Sequence, residues 1–188
     1  MPAQTLLLIV VTLWIASEVF LGVVRRSRTG ESSRHDRSSL ALLWVAIFGA
    51  VFLGIWLERF QAARIPGGRT TFLIGIAAII AGIVIRWVAI ATLWRYFTVD
   101  VAIRHDHKII SHGLYRVVRH PSYSGCVLSF IGLGVVFANW ISLTVITIVV
   151  LVAFSYRIAI EERALIDAFG DEYRDYSART KRLIPGIY

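Results

Sequence analysis

Two short polar stretches carry the side chains that could do chemistry in an otherwise apolar sequence. The first, residues 113–123, is a turn rich in aromatic and basic residues that leads directly into an apolar run. Pro121 suits the first turn of a helix, because proline lacks the N–H that would have no partner there. The pattern predicts a loop that delivers polar groups to the start of a helix.

The second stretch closes an apolar run with Arg157, Glu161 and Glu162. Arg157 and Glu161 are four residues apart and point to one face of a helix. Alone, such a pair is often a surface salt bridge, and Arg-His-Pro before a helix is often an interfacial anchor. Together with the loop from Asp106 to Tyr123, however, this helix offers imidazole, phenol, guanidinium and carboxylate groups, which favours a binding or catalytic site.

Composition indicates an integral membrane protein. The chain has 188 residues, 57% of them hydrophobic, and a mean hydropathy of +0.69, too apolar for a soluble domain. The net charge of +8 comes from basic residues that flank apolar runs, which favours membrane lipids over nucleic acid as partners. One cysteine, Cys126, excludes internal disulfides, and no zinc-type ligand spacing occurs, so we expect no metal. The N-terminal run lacks a basic leader and a cleavage pattern, so we expect a retained span.

The apolar runs predict an all-α integral membrane protein with five transmembrane helices. Three runs are single spans, residues 3–24, 40–60 and 70–93. The run 123–160 is about twice the ~20 residues that one span requires, so we expect a hairpin with its turn near Asn139.

Lysine and arginine are unevenly distributed between the two ends of these spans. Most of them lie on the side of the membrane that contains the loop after the first span, the loop after the third span and the tail. The other side holds Arg59, Arg64 and Arg69. The positive-inside rule then places the N-terminus outside and both polar stretches in the cytosol. The basic residues on the predicted cytosolic side are Arg25, Arg26, Arg28, Arg34, Arg37, Arg95, Arg104, Lys108, Arg116, Arg119, Arg163, Arg174, Arg179, Lys181 and Arg182.

Glu18 and Arg86 are ionisable residues within predicted spans, at similar depth below the inner surface. A charge inside a membrane span usually has either a partner or a function. Two interpretations stay open, a structural Glu18–Arg86 ion pair and a substrate-binding role for Arg86.

Other patterns concern packing. Small residues at 75, 78 and 82 in the third span, and at 125 and 129 in the fourth, predict faces for close helix contact. The apolar spacing of residues 165–176, interrupted by Gly170, predicts an amphipathic C-terminal helix that lies on the membrane or caps the loop. Residues 29–39, rich in serine and arginine, indicate a loose linker.

The ordered motifs resemble the isoprenylcysteine carboxyl methyltransferase family, within the wider group that includes phospholipid methyltransferases. The resemblance covers about residues 93–188 and implies S-adenosylmethionine as methyl donor, a five-helix core and a lipophilic or prenylated acceptor that enters from the bilayer. The motifs are Asp106 to Ile110, Gly113 to Tyr115, Arg119 to Tyr123, Arg157 with Glu161 and Glu162, Phe169 to Tyr173, and Pro185.

The resemblance also implies roles for individual residues. Arg157 is expected to orient the substrate and, with Glu161, to be catalytic. Residues 1–66 are expected to form a two-helix membrane segment, and residues 67–188 the methyltransferase core with its cytosolic cofactor-binding loop (95–123), helical hairpin (123–162) and tail. The expected cofactor contacts are His107, Lys108, Ile109, Ile110, Tyr115, His120, Pro121, Ser122, Tyr123, Glu161 and Glu162.

The identity of the acceptor stays open at this point. A prenylcysteine carboxylate is already ionised at neutral pH and needs no general base, so Arg157 could hold it by a two-pronged contact. A phosphoethanolamine ammonium would need Glu161 or Glu162 as a base. O- or S-methylation of another small lipophile, and a non-catalytic lipid-binding scaffold, are the further alternatives.

Overall fold

The computed structural model describes residues 2–24, 34–97 and 108–188, apart from the side chains of residues 34–37 and 95. Within these ranges the chain is helical, with no strand beyond two isolated bridges. Its α-helices are α1 (Ala3–Val24), α2 (Arg34–Leu57), α3 (Arg69–Leu93), α4 (Pro121–Val136), α5 (Trp140–Phe169) and α6 (Asp171–Arg179). Short 3-10 turns occur at Gln61–Ala63, Trp94–Tyr96 and Gly113–Arg116.

Four helices of the described ranges are long and apolar enough to cross a membrane: Ala3–Val24, Ser38–Leu57, Arg69–Leu93 and Trp140–Phe169. The first of them has the predicted bounds. The predicted linker is wrong over residues 34–39, because α2 already begins at Arg34 and Ser39 is buried; residues 29–33 lie outside the described ranges. The helix Pro121–Val136 is apolar but shorter, with 16 residues, or about 24 Å.

Asn139 forms the turn of the predicted helical hairpin. Its side chain accepts hydrogen bonds from the N–H groups of Ile141 (2.9 Å) and Ser142 (3.2 Å), and so caps the start of α5. Its amide also donates to the carbonyl oxygen of Phe60 at 2.9 Å, which ties the turn to the end of α2. The turn between α4 and α5 therefore lies where the sequence predicts it.

The helices pack in pairs, with the most extensive contact between α3 and α4 and the next between α2 and α5. Gly82 and Gly125 let the backbones of α3 and α4 approach closely, because an added Cβ on Gly125 would lie 2.7 Å from the backbone nitrogen of Arg86. The Ser129 hydroxyl donates across the same contact to the carbonyl oxygen of Ile79 at 3.2 Å. The predicted small-residue faces meet here, and they fix the start of α4 beside Arg86.

Gly82→Ala should destabilise the protein, because its Cβ would overlap the carbonyl oxygen of Gly125 and lie 2.7 Å from the backbone nitrogen of Ser129. Overpacking typically costs about 1–3 kcal/mol, and backbone atoms cannot rotate away. Thermal unfolding in detergent measures the resulting fall in Tm. Gly49→Ala in α2 is the matched control, since an added Cβ there meets nothing within 4 Å. An equal Tm for the two variants would contradict the close contact.

Candidate functional site

The candidate site begins where the 3-10 turn Gly113–Arg116 leads into α4. His120 is the N-cap residue of α4 and Pro121 occupies the first helical position, as the sequence predicts. His120, Pro121 and Ser122 are buried, whereas Tyr123 is half-buried. Pro121 starts the helix directly after the loop, so these side chains lie at one junction.

The two polar stretches meet at this junction. The Tyr123 hydroxyl donates to Glu161 Oε2 at 2.9 Å, and His120 Nδ1 lies 4.0 Å from the same oxygen. The rings of His120 and Tyr123 stack with centroids 5.8 Å apart, and Tyr123 packs on Phe154 of α5 at 5.1 Å. The Glu161 side chain keeps 31% of its surface exposed, so its carboxylate remains open to a further partner.

Glu162 has both carboxylate oxygens engaged by cationic or imidazole groups. Oε1 accepts from Arg119 Nε at 2.8 Å and lies 3.3 Å from His120 Nε2. Oε2 accepts from Arg182 Nε at 3.0 Å. The Glu162 cluster, defined as Arg119, His120, Glu162 and Arg182, thus joins the loop, α5 and the C-terminal segment.

The C-terminal segment packs on the loop, one of its two predicted locations. A bend at Gly170, whose φ of +54° favours glycine, separates α5 from α6. The Tyr176 hydroxyl then donates to the carbonyl oxygen of Tyr115 at 2.7 Å, and burial raises the pKa of Tyr176 to about 12, so it stays a neutral donor. Arg119 also donates to the carbonyl oxygens of Ser177, at 2.9 Å, and Thr180.

Arg157 is 1% exposed and its guanidinium donates to Ser39 Oγ of α2 at 2.5 Å. The Tyr123 hydroxyl also interacts with Arg157. Arg157 therefore lies one helical turn from Glu161, on the side of the site that faces α2.

Glu18 and Arg86 form an ion pair, as the structural interpretation of these two residues predicts. Arg86 Nε lies 2.6 Å from Glu18 Oε1, and Arg86 Nη2 donates to Glu18 Oε2 at 2.7 Å. The third nitrogen, Nη1, donates to Ser122 Oγ at 2.8 Å. The pair connects α1 through α3 to the first turn of α4.

A cavity of about 700 Å³ extends from this polar region between the helices. Most of its wall is apolar side chains of α1 and α2, with Phe130 and Leu133 of α4 and Phe154 of α5. The polar and charged side chains in the wall are Glu18, Arg86, Tyr123 and Arg157. Such a space fits a molecule with a long apolar part and a small polar group.

The other predicted site residues have different surroundings. Lys108 is exposed and Ile109 and Ile110 are half-buried, and all three precede the 3-10 turn. Tyr115 is buried, and its hydroxyl donates to the carbonyl oxygen of Ala89 on α3 at 3.4 Å. His107 lies outside the described residues.

Arg119, Ser39 and Arg182 contact the site and were not predicted as site residues. Arg119 belongs to a recognised motif, but its side chain reaches Glu162 and the tail. Ser39 and Arg182 carry no motif or periodic signal, because each meets the site through a contact distant in sequence, Ser39 with Arg157 and Arg182 with Glu162.

A helical membrane architecture with a polar junction and an adjoining apolar cavity is typical of membrane-embedded enzymes and of proteins that bind lipophilic molecules. The model of the isoprenylcysteine carboxyl methyltransferase (ICMT) family matches residues 73–167. The chain belongs to this family, which confirms the resemblance.

Similar proteins carry related names. A probable protein-S-isoprenylcysteine O-methyltransferase of Oryza sativa subsp. indica is 39% identical over 116 residues, 61% of each chain. Methanethiol S-methyltransferase 1 of Bradyrhizobium diazoefficiens is 43% identical over 72 residues, 38% of this chain and 24% of that protein. The solved structure of the eukaryotic intramembrane Ras methyltransferase ICMT is 28% identical with a TM-score of 0.57, covering 85% of this chain and 55% of that one. The chain thus spans about three fifths of the length of the rice protein.

Proposed function

We propose that the protein is a membrane-embedded, S-adenosylmethionine-dependent methyltransferase of a lipophilic acceptor, with carboxyl O-methylation of an isoprenylcysteine-type substrate as the reaction. The observation that carries this proposal is the junction of His120, Tyr123 and Glu161 beside a cavity of about 700 Å³ that Arg157 also lines. Membership of the ICMT family supports it. Residues 67–188 are the proposed catalytic core, and residues 1–66 the two-helix segment that closes the cavity.

The polar and aromatic side chains of the junction suit S-adenosylmethionine, the proposed methyl donor. S-adenosylmethionine supplies a methyl group already activated by a sulfonium leaving group. The partly exposed carboxylate of Glu161, held by Tyr123, suits the positive charge of the donor, and the His120 and Tyr123 rings offer flat surfaces. The other proposed contacts are His107, Lys108, Ile109, Ile110, Tyr115, Pro121 and Ser122. Glu162 was predicted among them, but its two oxygens already have partners.

The residues of the chain contribute alignment and exclusion of water. Arg157 is proposed to hold the acceptor carboxylate, and the apolar wall to hold its hydrocarbon part. A carboxylate acceptor needs no general base, whereas an amine acceptor would require one. Because Glu162 is engaged by two arginines, Glu161 would have to serve alone, which favours the carboxylate.

Two other functions remain candidates. S-methylation of a small thiol is favoured by the local identity to methanethiol S-methyltransferase 1, but a cavity of about 700 Å³ greatly exceeds a molecule with two heavy atoms. A lipid-binding scaffold without catalysis would need the cavity alone. The paired Tyr123 and Glu161 at its polar side support the enzyme.

We further propose a five-span topology in a prokaryotic inner membrane, in which the shorter helix α4 crosses the membrane together with the four long apolar helices. The N-terminus is then outside and the site is in the cytosol. The asymmetry of lysine and arginine supports this orientation. Because Cys126 is the single cysteine and is buried, single cysteines introduced at the exposed Gln61 and Asp175 can be labelled selectively. An impermeant maleimide added outside intact cells should label Gln61→Cys and not Asp175→Cys; the reverse pattern would overturn the orientation.

Purified protein should bind S-adenosylhomocysteine, and Tyr123→Phe should weaken the binding because it removes the hydroxyl that holds Glu161. Loss of a hydrogen bond to a charged group costs about 1.5–3 kcal/mol, or roughly tenfold or more in Kd. Glu161→Gln should have a similar effect. Tyr156→Phe is the matched control, since Tyr156 is an exposed tyrosine of the same helix as Glu161. Isothermal titration calorimetry in detergent measures the Kd, and equal values for all four proteins would reject the cofactor site.

Arg157→Lys should lower kcat/KM for an S-farnesylcysteine derivative by roughly tenfold or more, because lysine keeps the charge but loses the planar fork. The Kd of S-adenosylhomocysteine should change little. Arg163→Lys, at an exposed arginine of the same helix, is the control. The rate of the unmutated protein should be flat from about pH 6 to 8, since a carboxylate is already ionised there, whereas a protonated amine would make it rise. If Arg157→Lys is fully active and the rate rises steeply with pH, the carboxylate acceptor is rejected in favour of an amine acceptor.

A further inference from the structure

The Glu162 cluster forms a clamp on His120, that is, a set of ion pairs and hydrogen bonds that hold this residue in place. The Glu162 and Arg119 side chains are each only 10% exposed, so their 2.8 Å ion pair is screened weakly by water. Arg182 approaches the other oxygen of Glu162, with a side chain that is 40% exposed, and closes the cluster from outside. The carboxylate therefore has cationic partners on both oxygens.

Glu162 also determines how His120 presents its ring. A carboxylate can only accept hydrogen bonds, so the 3.3 Å contact with Nε2 places the proton of neutral His120 on that nitrogen. Nδ1 is then the nitrogen that faces Glu161, at 4.0 Å. The carboxylate of Glu162 thus fixes both the ring orientation and the tautomer of His120.

Arg182 also holds His120, through its backbone carbonyl oxygen and through its side chain. The backbone N–H of His120 donates to the carbonyl oxygen of Arg182 at 3.1 Å, and the N–H of Arg119 donates to that of Lys181 at 2.7 Å. The guanidinium of Arg182 meanwhile donates to Glu162, which contacts the His120 ring. Arg182 therefore fixes the backbone of His120 directly and its side chain through Glu162.

We infer that Glu162 and Arg182 are positioning residues, which hold His120 and its loop in place and do not themselves contact the methyl donor. Arg182 lies beyond the family match, which ends at residue 167, in the C-terminal segment that packs on the loop. This inference rests on the proposed function for its link to the donor, but the clamp itself is independent of any ligand.

The variants that test the inference are Arg182→Ala, Glu162→Gln and their combination. Lys181→Ala is the matched control, because it removes an exposed positive charge from the adjacent position and leaves the backbone bonds intact. We expect Arg182→Ala and Glu162→Gln each to raise the Kd of S-adenosylhomocysteine by about tenfold. The Kd of the double variant should lie within about twofold of that of Glu162→Gln, because both changes break the same contact between Arg182 and Glu162. The Kd of Lys181→Ala should lie within about twofold of that of the unmutated protein.

Hydrogen–deuterium exchange of the backbone amides of Arg119 and His120 gives a second readout without any ligand. Both variants keep the backbone carbonyl oxygens that accept these hydrogen bonds. Exchange should be faster in Arg182→Ala, because the lost contact with Glu162 no longer holds the C-terminal segment against the loop, and unchanged in Lys181→Ala. If Arg182→Ala leaves both Kd and exchange unchanged while Glu162→Gln raises Kd, Glu162 contacts the donor directly and the inference is wrong. If the unmutated protein binds no S-adenosylhomocysteine, the proposed function fails, and the exchange rates alone decide whether the clamp exists.

Discussion

The close contact between α3 and α4 is the constraint on which the candidate site depends. In lipid, apolar side chains gain little by leaving their surroundings, so helices associate through close packing and polar contacts. Gly82 and Gly125 permit that approach, and Arg86 on α3 then reaches Ser122 in the first turn of α4. The junction that carries His120 and Tyr123 is therefore positioned by a backbone contact deeper in the bundle.

Buried charges make this arrangement specific. An ionised side chain in a poorly hydrated interior is costly unless a partner of opposite charge meets it with good geometry. Arg86 has Glu18 of α1, and Arg119 has Glu162 of α5. Since each partner comes from a different helix, alternative packings would leave a charge unmatched. The same residues that restrict the fold also border the cavity and the candidate site.

Local patterns in the sequence predict much of this structure. Pro121 marks the start of α4 because it lacks an N–H, and Asn139 marks the start of α5 through its capping side chain. The similar depths of Glu18 and Arg86 favour their pairing. Ser39 is different, because serine-rich sequence near arginines is typical of a linker and nothing local indicates its contact with Arg157. Arg182 is similar, since its role depends on a bend at Gly170 and on contacts with distant segments. Tertiary contacts of single polar residues leave no local signal in the sequence, whereas helix caps and apolar runs do.

The return of the C-terminal segment to the loop has a consequence for biogenesis. Arg119 and Thr180 are 61 residues apart in the sequence, which a ribosome adds in about 3–12 s at about 5–20 residues per second. During that interval the backbone N–H groups of Arg119 and His120 have no carbonyl partners from Lys181 and Arg182. Completion of the junction around His120 thus waits until synthesis has passed residue 182.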